Sequence, residues 1–126
     1  MRALSKNNII NSNIKNVSNN NKERIVQLLG LATRARKTTF GTDAVTMAMA
    51  KGNVKMVFVS NEASENTKNK FINKCEYYKS NIIMGLSVAD LQKATGKENL
   101  MVLGVLDKGF INNLNNLLKE DVKNES

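Results

Sequence analysis

Between residues 22 and 118, segments with apolar side chains at helical spacing alternate with short runs that are apolar without a break. This alternation narrows the choice of fold more than any other feature. A helix with one apolar stripe needs a surface to pack on, and a strand apolar on both faces needs cover on both. Ile25, Leu28, Leu29 and Ala32 fall at i, i+3, i+4 and i+7, which predicts a helix over residues 22–34. Thr38-Thr39-Phe40 is short and β-prone, closed by Gly41. A second helix is expected over 42–51, with Val45, Ala48 and Met49 inward and Gly52-Asn53 as its stop. Met56-Val57-Phe58-Val59 and the run from Leu100 to Leu106 have the length and composition of covered strands, and Ile82-Ile83-Met84 is a shorter one. Further helices are expected over 64–79 (Phe71, Ile72, Cys75, Tyr78), over 87–95 before Gly96, and from Phe110 through Leu118. The fold class that follows is α/β: a three-layer α/β/α sandwich around a small four-stranded mixed, mostly parallel sheet.

Domain boundaries follow from changes of texture. Residues 1–21 hold eight of the chain's twenty asparagines and no acidic residue, and predict a disordered tail. Residues 22–120 form the expected domain, and 121–126 a frayed end. With 126 residues, 41% of them apolar and no Trp, the chain suits one core built on Val, Leu, Ile, Met and Ala.

Nineteen Lys and Arg against eleven Asp and Glu give a formal charge of +8, which favours a polyanionic partner. The absence of histidine excludes a His general base, a Ser-His-Asp triad and a His metal site. A single cysteine, Cys75, excludes an internal disulfide and suits a reducing compartment. The start of the chain lacks the apolar run of a signal peptide, and no stretch approaches the roughly 18 apolar residues of a membrane span. A cytoplasmic location and no membrane partner are the expectation.

Few residues remain as carriers of chemistry. Cys75 shares a helical stripe with Phe71 and Ile72, the setting of a small core hydrophobe. Gly96-Lys97 resembles the end of a phosphate-binding loop, but that pattern needs Gly where Leu91 stands and Ser or Thr where Glu98 stands. Arg34, Arg36 and Lys37, followed by Gly41-Thr42-Asp43, are more informative. A helix start presents unpaired N–H groups to phosphate, and glycine lets an RNA backbone come close. The same residues also fit a Thr or Asp helix cap beside a solvated basic turn, and spacing alone leaves both readings standing.

Three stretches carry a family resemblance: Leu28 to Lys37 (LLGLATRARK), Ala63 to Lys68 with Lys74 to Tyr78, and Asp107-Lys108-Gly109-Phe110. They resemble the YlxQ-like bacterial branch of the ribosomal-protein superfamily that includes the archaeal large-subunit protein "seven-Ae". The likeness runs over roughly residues 22–118. It implies an α/β/α sandwich, no enzymatic activity, no metal or cofactor, and binding to structured RNA such as the kink-turn. The superfamily's motif Gly-x-Asn-Glu-x-x-Lys maps onto Gly41, Thr42, Asp43, Ala44, Val45, Thr46 and Met47. Gly41 matches and Asp43 stands in for Asn, whereas Ala44 replaces the Glu acceptor and Met47 the Lys. Each lost pair to a base edge removes about 1–3 kcal/mol of discrimination, judged from DNA. The superfamily's Ser-Lys is Ser87-Val88 here, and its Leu-Gly is Leu91-Gln92. A second RNA-facing loop maps onto Gly96, Lys97, Glu98 and Asn99, and the loop Asn61 to Ser64, with Glu62, is expected on the same rim.

The resemblance therefore implies a monomeric RNA-binding protein, ribosomal or ribosome-associated, with ribosomal or kink-turn RNA as partner. Arg34, Arg36 and Lys37 would supply charge, Gly41 would receive phosphate, and Asp43 would meet base edges. Two alternatives stay open: an accessory substrate-binding subunit for an RNA-modifying enzyme such as a methyltransferase, and a protein-interaction module docking through its last helix.

Overall fold

A computed structural model describes residues 14–125 of the protein. In chain order these form β1 (Ile14–Asn16), α1 (Lys22–Arg34), β2 (Thr38–Phe40), α2 (Thr42–Ala50), β3 (Met56–Val59), α3 (Glu65–Tyr78), β4 (Asn81–Met84), α4 (Val88–Thr95), β5 (Val102–Val105) and α5 (Lys108–Glu125). The strands make one sheet in the order β1-β4-β3-β5-β2. β1, β4 and β3 run parallel, while β5 lies between β3 and β2 and is antiparallel to both. The sheet thus has five strands where the sequence predicts four. Two of its four pairings are parallel, so "mostly parallel" gives way to an even mixture.

The additional strand lies inside the expected tail. Ile14, Lys15 and Asn16 pair with Ile82, Ile83 and Met84, and the Val17 N–H donates to the Met84 carbonyl at 2.7 Å. Val17 and Asn21 are buried, and the Asn21 amide nitrogen donates to the Leu117 carbonyl at 2.8 Å. Residues 14–21 accordingly belong to the domain; the rest of the expected tail, residues 1–13, lies outside the described residues. At the other end, α5 continues to Glu125 where a frayed end is expected, and Ser126 lies outside the described residues.

Side-chain alternation along the central strands separates two cores. Met56 and Phe58 of β3, Ile83 of β4, and Leu103 and Val105 of β5 face α1, α4 and α5 through Ile25, Leu29, Leu91 and Leu114. Val57, Val59, Ile82 and Val102 face α2 and α3 through Val45, Met49, Phe71 and Cys75. The large side chains here are fully buried, each worth about 1.5–3 kcal/mol relative to exposure. β3 and β5 are buried along their whole length, as uninterrupted apolar runs require.

Topology then sets the two ends of the sheet. The C-terminal ends of β2, β3 and β4 and the N-terminal end of β5 meet on one rim, which collects Gly41, Asn61 to Ser64, Gly85 to Ser87 and Gly96 to Met101. The opposite end collects the turns before β2, β3 and β4 and the start of α5.

Candidate nucleic-acid interface

The start of α2 is built on Gly41. Its φ of 90° is one that side chains rarely adopt, and its N–H donates to the Val102 carbonyl at 2.9 Å, fastening the turn to β5. The first α-helical bond runs from the Val45 N–H to the Gly41 carbonyl. No side chain caps this helix. The amides of Thr42, Asp43 and Ala44 therefore point outward at the positive end of the helix dipole. The Thr-or-Asp cap that the sequence allows is not formed.

Of the other helices that begin on this rim, α3 and α4 are capped, whereas α1, like α2, has no side-chain cap. Ser64 Oγ accepts from the Thr67 N–H at 3.1 Å at the head of α3. At the head of α4, Ser87 and Asp90 exchange reciprocal bonds of 3.0 and 2.9 Å in a capping box. Glu62 Oε2 accepts from the Val88 N–H at 3.0 Å, so this predicted site residue holds α4 in place. Burial pushes the Asp90 carboxyl up, but the Ser87 backbone and hydroxyl bonds, with the Lys22 ammonium 3.4 Å away, outweigh it and hold the group below its usual range.

The Gly41 turn and the Lys97 loop share one cleft. Phe40, Gly41 and Thr42 form one side and Lys97, Glu98 and Asn99 the other, around a volume of about 300 Å³. The Lys97 ammonium sits 5.4 Å from the centre of the Phe40 ring, a cation–π contact. Gly96 and Asn99 both adopt left-handed backbone, with φ of 77° and 58°, which turns the loop back toward β5. Asp43 and Ala44 lie exposed on the first turn of α2, and Met47 is 61% exposed one turn on.

The basic run takes a different place from the one its position in the chain suggests. Arg36 N–H donates to Thr33 O and Lys37 N–H to Ala32 O, a Schellman turn with Arg36 at φ 62° where glycine is usual. The Lys37 carbonyl then accepts from Leu106, at the far end of β2 from Gly41. The three extended residues of β2 lie between the two, and four residue-to-residue steps span roughly 13 Å. Arg36 and Lys37 therefore lie on the opposite end of the sheet from the cleft. Arg34 lines a separate groove between α1 and α4, with Val26, Gly30, Leu31 and Lys93. Sequence reasoning brings these cations to the Gly41 turn, and the fold does not.

Cys75 is fully buried, and burial pushes its thiol up to about 12, which leaves it protonated and inert. What the sequence reading passes over is the Phe40–Lys97 contact and the α4 capping box. The latter has a legible signal, Ser87-x-x-Asp90 before the α4 stripe.

Residues 11–115 match the model of the "Ribosomal protein L7Ae/L30e/S12e/Gadd45 family". The chain belongs to this family. Among its relatives, the RNA-binding protein YlxQ of Bacillus subtilis is 43% identical over 91 residues, covering 72% of this chain and 91% of that protein. The RNA-binding protein YlxQ of Enterococcus faecium is 34% identical over 99 residues, covering 79% and 95%. A protein of unknown function from Bacillus halodurans C superposes with a TM-score of 0.73 at 35% identity, over 76% of this chain and 97% of that one. The Giardia lamblia 15.5kD RNA binding protein superposes at 0.71 with 11% identity, over 82% and 89%, a likeness of fold alone. Relative to the motif expected of the L7Ae-type superfamily, the Gly41 turn is kept, while the two departures, Ala44 and Met47, are both displayed outward beside it.

Proposed function

We propose that the chain binds structured RNA through the rim formed by the Gly41 turn and the Lys97 loop, as a non-enzymatic, ribosome-associated protein of the cytoplasm that acts as a monomer. The observation that carries this reading is the uncapped start of α2. It leaves three amides without a cap, beside a cleft that holds a cation stacked on an aromatic ring. A phosphate accepts from those amides at the positive end of the dipole. Asp43 accepts from exposed base amino groups, and Lys97, Glu98 and Asn99 close on unstacked nucleotides. Folded RNA is read mainly through such bulges and bends and through shape. The names of the YlxQ relatives support an RNA ligand, and the kept Gly41 turn supports a kink-turn-like bend.

The test is a gel-shift titration at fixed, near-physiological salt. It compares a kink-turn hairpin with the same hairpin carrying disrupted G·A pairs, using the wild type and the variants Lys97→Gln and Asp43→Ala. Preference for the intact bend, weakened by both variants, supports the rim. Equal binding to both hairpins, unchanged in the variants, overturns it.

A further inference from the structure

The charge of this protein is divided unevenly between the two ends of its sheet. The rim carries Glu23, Asp43, Glu62, Glu65, Asp90 and Glu98 against Lys22, Arg24, Lys68 and Lys97. Lys22 is paired with Asp90, and Lys68 lies 3.8 Å from Glu65. The opposite end carries Arg36 and Lys37 before β2, Lys51 and Lys55 before β3, Lys79 before β4 and Lys108 after β5, all exposed. Only two carboxylates accompany them among the described residues. Asp107 is engaged in accepting from the Phe110 N–H at the head of α5, and Glu76 lies one turn before Lys79.

Sheet register gives these cations a fixed spacing. The Leu106 N–H donates to the Lys37 carbonyl, and the pairing of Val105 with Met56 places Leu106 beside Lys55. The Asn81 N–H donates to the Lys55 carbonyl, which brings Lys79 and Ser80 next in line. Lys37, Lys55 and Lys79 thus stand across β2, β5, β3 and β4 in one row. With strands about 4.8 Å apart, the row spans roughly 14 Å of rigid scaffold. Two of its turns, at Arg36 and Lys79, hold a long cation in left-handed backbone, with φ of 62° and 60°.

We propose that this far end is a second RNA surface, one that grips the phosphate backbone of a helical stem without reading its sequence. The inference deepens the RNA-binding reading given above and rests on it. A row of unpaired cations without an apolar centre fits a polyanion. A protein partner would need a desolvated anchor, and the large aromatic exposed nearby, Tyr77, is already edge-on to Tyr78. A stem, with phosphates along both edges of its groove, fits a straight row of charge. The protein then bridges two RNA elements, with the bend on the rim and a stem on the opposite end.

The probe is a 20-base-pair RNA duplex without internal loops, titrated by fluorescence anisotropy between about 50 and 200 mM salt. The variants are Lys37→Gln/Lys55→Gln/Lys79→Gln at the far end and Lys97→Gln on the rim. The wild type should bind the duplex with a steep salt dependence. The triple variant should bind at least tenfold more weakly, with a log–log salt slope reduced by about 2–3, while Lys97→Gln leaves duplex binding unchanged. An unaltered thermal melt shows that the exposed substitutions spare the fold. Wild-type affinity of the triple variant for the duplex overturns the proposal, as does a wild type that does not bind the duplex. Failure of the rim alone has a different signature: the duplex result holds, and the kink-turn hairpin loses nothing in Lys97→Gln.

Discussion

A methyl group placed on Gly85 would lie 2.7 Å from the backbone nitrogen of Val17 and 2.8 Å from its carbonyl oxygen. The chain leaving β1 crosses directly over this glycine, whose φ of 111° is itself unfavourable for a side chain. Gly85→Ala should therefore destabilise the protein by about 2–3 kcal/mol, combining left-handed strain with a backbone collision that no rotamer relieves. Urea unfolding measures the loss. Hydrogen exchange should show it concentrated at Val17, whose amide bonds to Met84. An unchanged midpoint would mean that β1 contributes nothing to stability.

The cap on α4 should make stability depend on pH. The Asp90 carboxyl lies below its usual range when folded, so its contribution is complete above the unfolded carboxyl value near 3.9. It is lost as pH falls through the folded value. Asp90→Asn should be less stable than wild type at neutral pH, and the two should converge on acidification. Ser87→Ala should cost about 1 kcal/mol, because it removes the hydroxyl that accepts from the Asp90 N–H, while the residue 87 N–H still donates to the Asp90 carboxylate. Chemical denaturation across pH 2.5 to 7 checks both.

Arg36 occupies a turn position that favours glycine. Arg36→Gly should raise stability by roughly 0.5–1 kcal/mol through relief of left-handed strain. The same substitution should weaken binding of an RNA duplex, because it removes a cation from the far end. Gain of stability with loss of affinity is the diagnostic pair. A stabilised variant with unaltered duplex affinity would place Arg36 outside the binding surface.

Met47 is exposed on α2 one turn beyond Asp43, where the superfamily motif has Lys. Met47→Lys should cost almost nothing in stability, since the side chain already faces water. It should strengthen binding of a kink-turn hairpin about fivefold or more, the effect of one restored charge-assisted contact of about 1 kcal/mol. Affinity equal to wild type would show that RNA does not reach this turn.

Cys75 offers a test of the core. With its thiol pushed up to about 12 and no surface exposed, it should resist alkylation in the native protein at pH 8 and react fully in denaturant. Rapid native labelling, followed by mass spectrometry, would contradict the packing of α3 against β3 and β4.

The layers of this fold were legible because they depend on local pattern. The α1 stripe, the apolar β3 run and the Phe71–Cys75 stripe each declare which side they bury. Strand order was not, since alternating helices and strands are equally compatible with several sheets, and only packing places β5 antiparallel between β3 and β2. β1 is not legible in the sequence because three residues, Ile-Lys-Asn, are too few to show a period, and their partners lie far along the chain. The candidate site divides in the same way. Gly41 and Lys97 come together as expected, since both lie where strands end on one rim. Arg36 and Lys37 look adjacent to Gly41 in the sequence, but an extended strand of three residues carries the chain from one end of the sheet to the other. Adjacency in sequence is lost most quickly where the chain is straightest.

The pairing of Ile14 with Ile82 also bears on how the protein is made. β1, the first strand among the described residues, has no partner until β4 has been synthesised, just over half the chain later. Its edge of the sheet cannot close in the order of translation, and the loop that must close is long. β1 can therefore join the sheet only after β4 is available. A nascent chain stalled before Asn81 should expose residues 14–17 to protease, and one stalled after α5 has emerged should protect them.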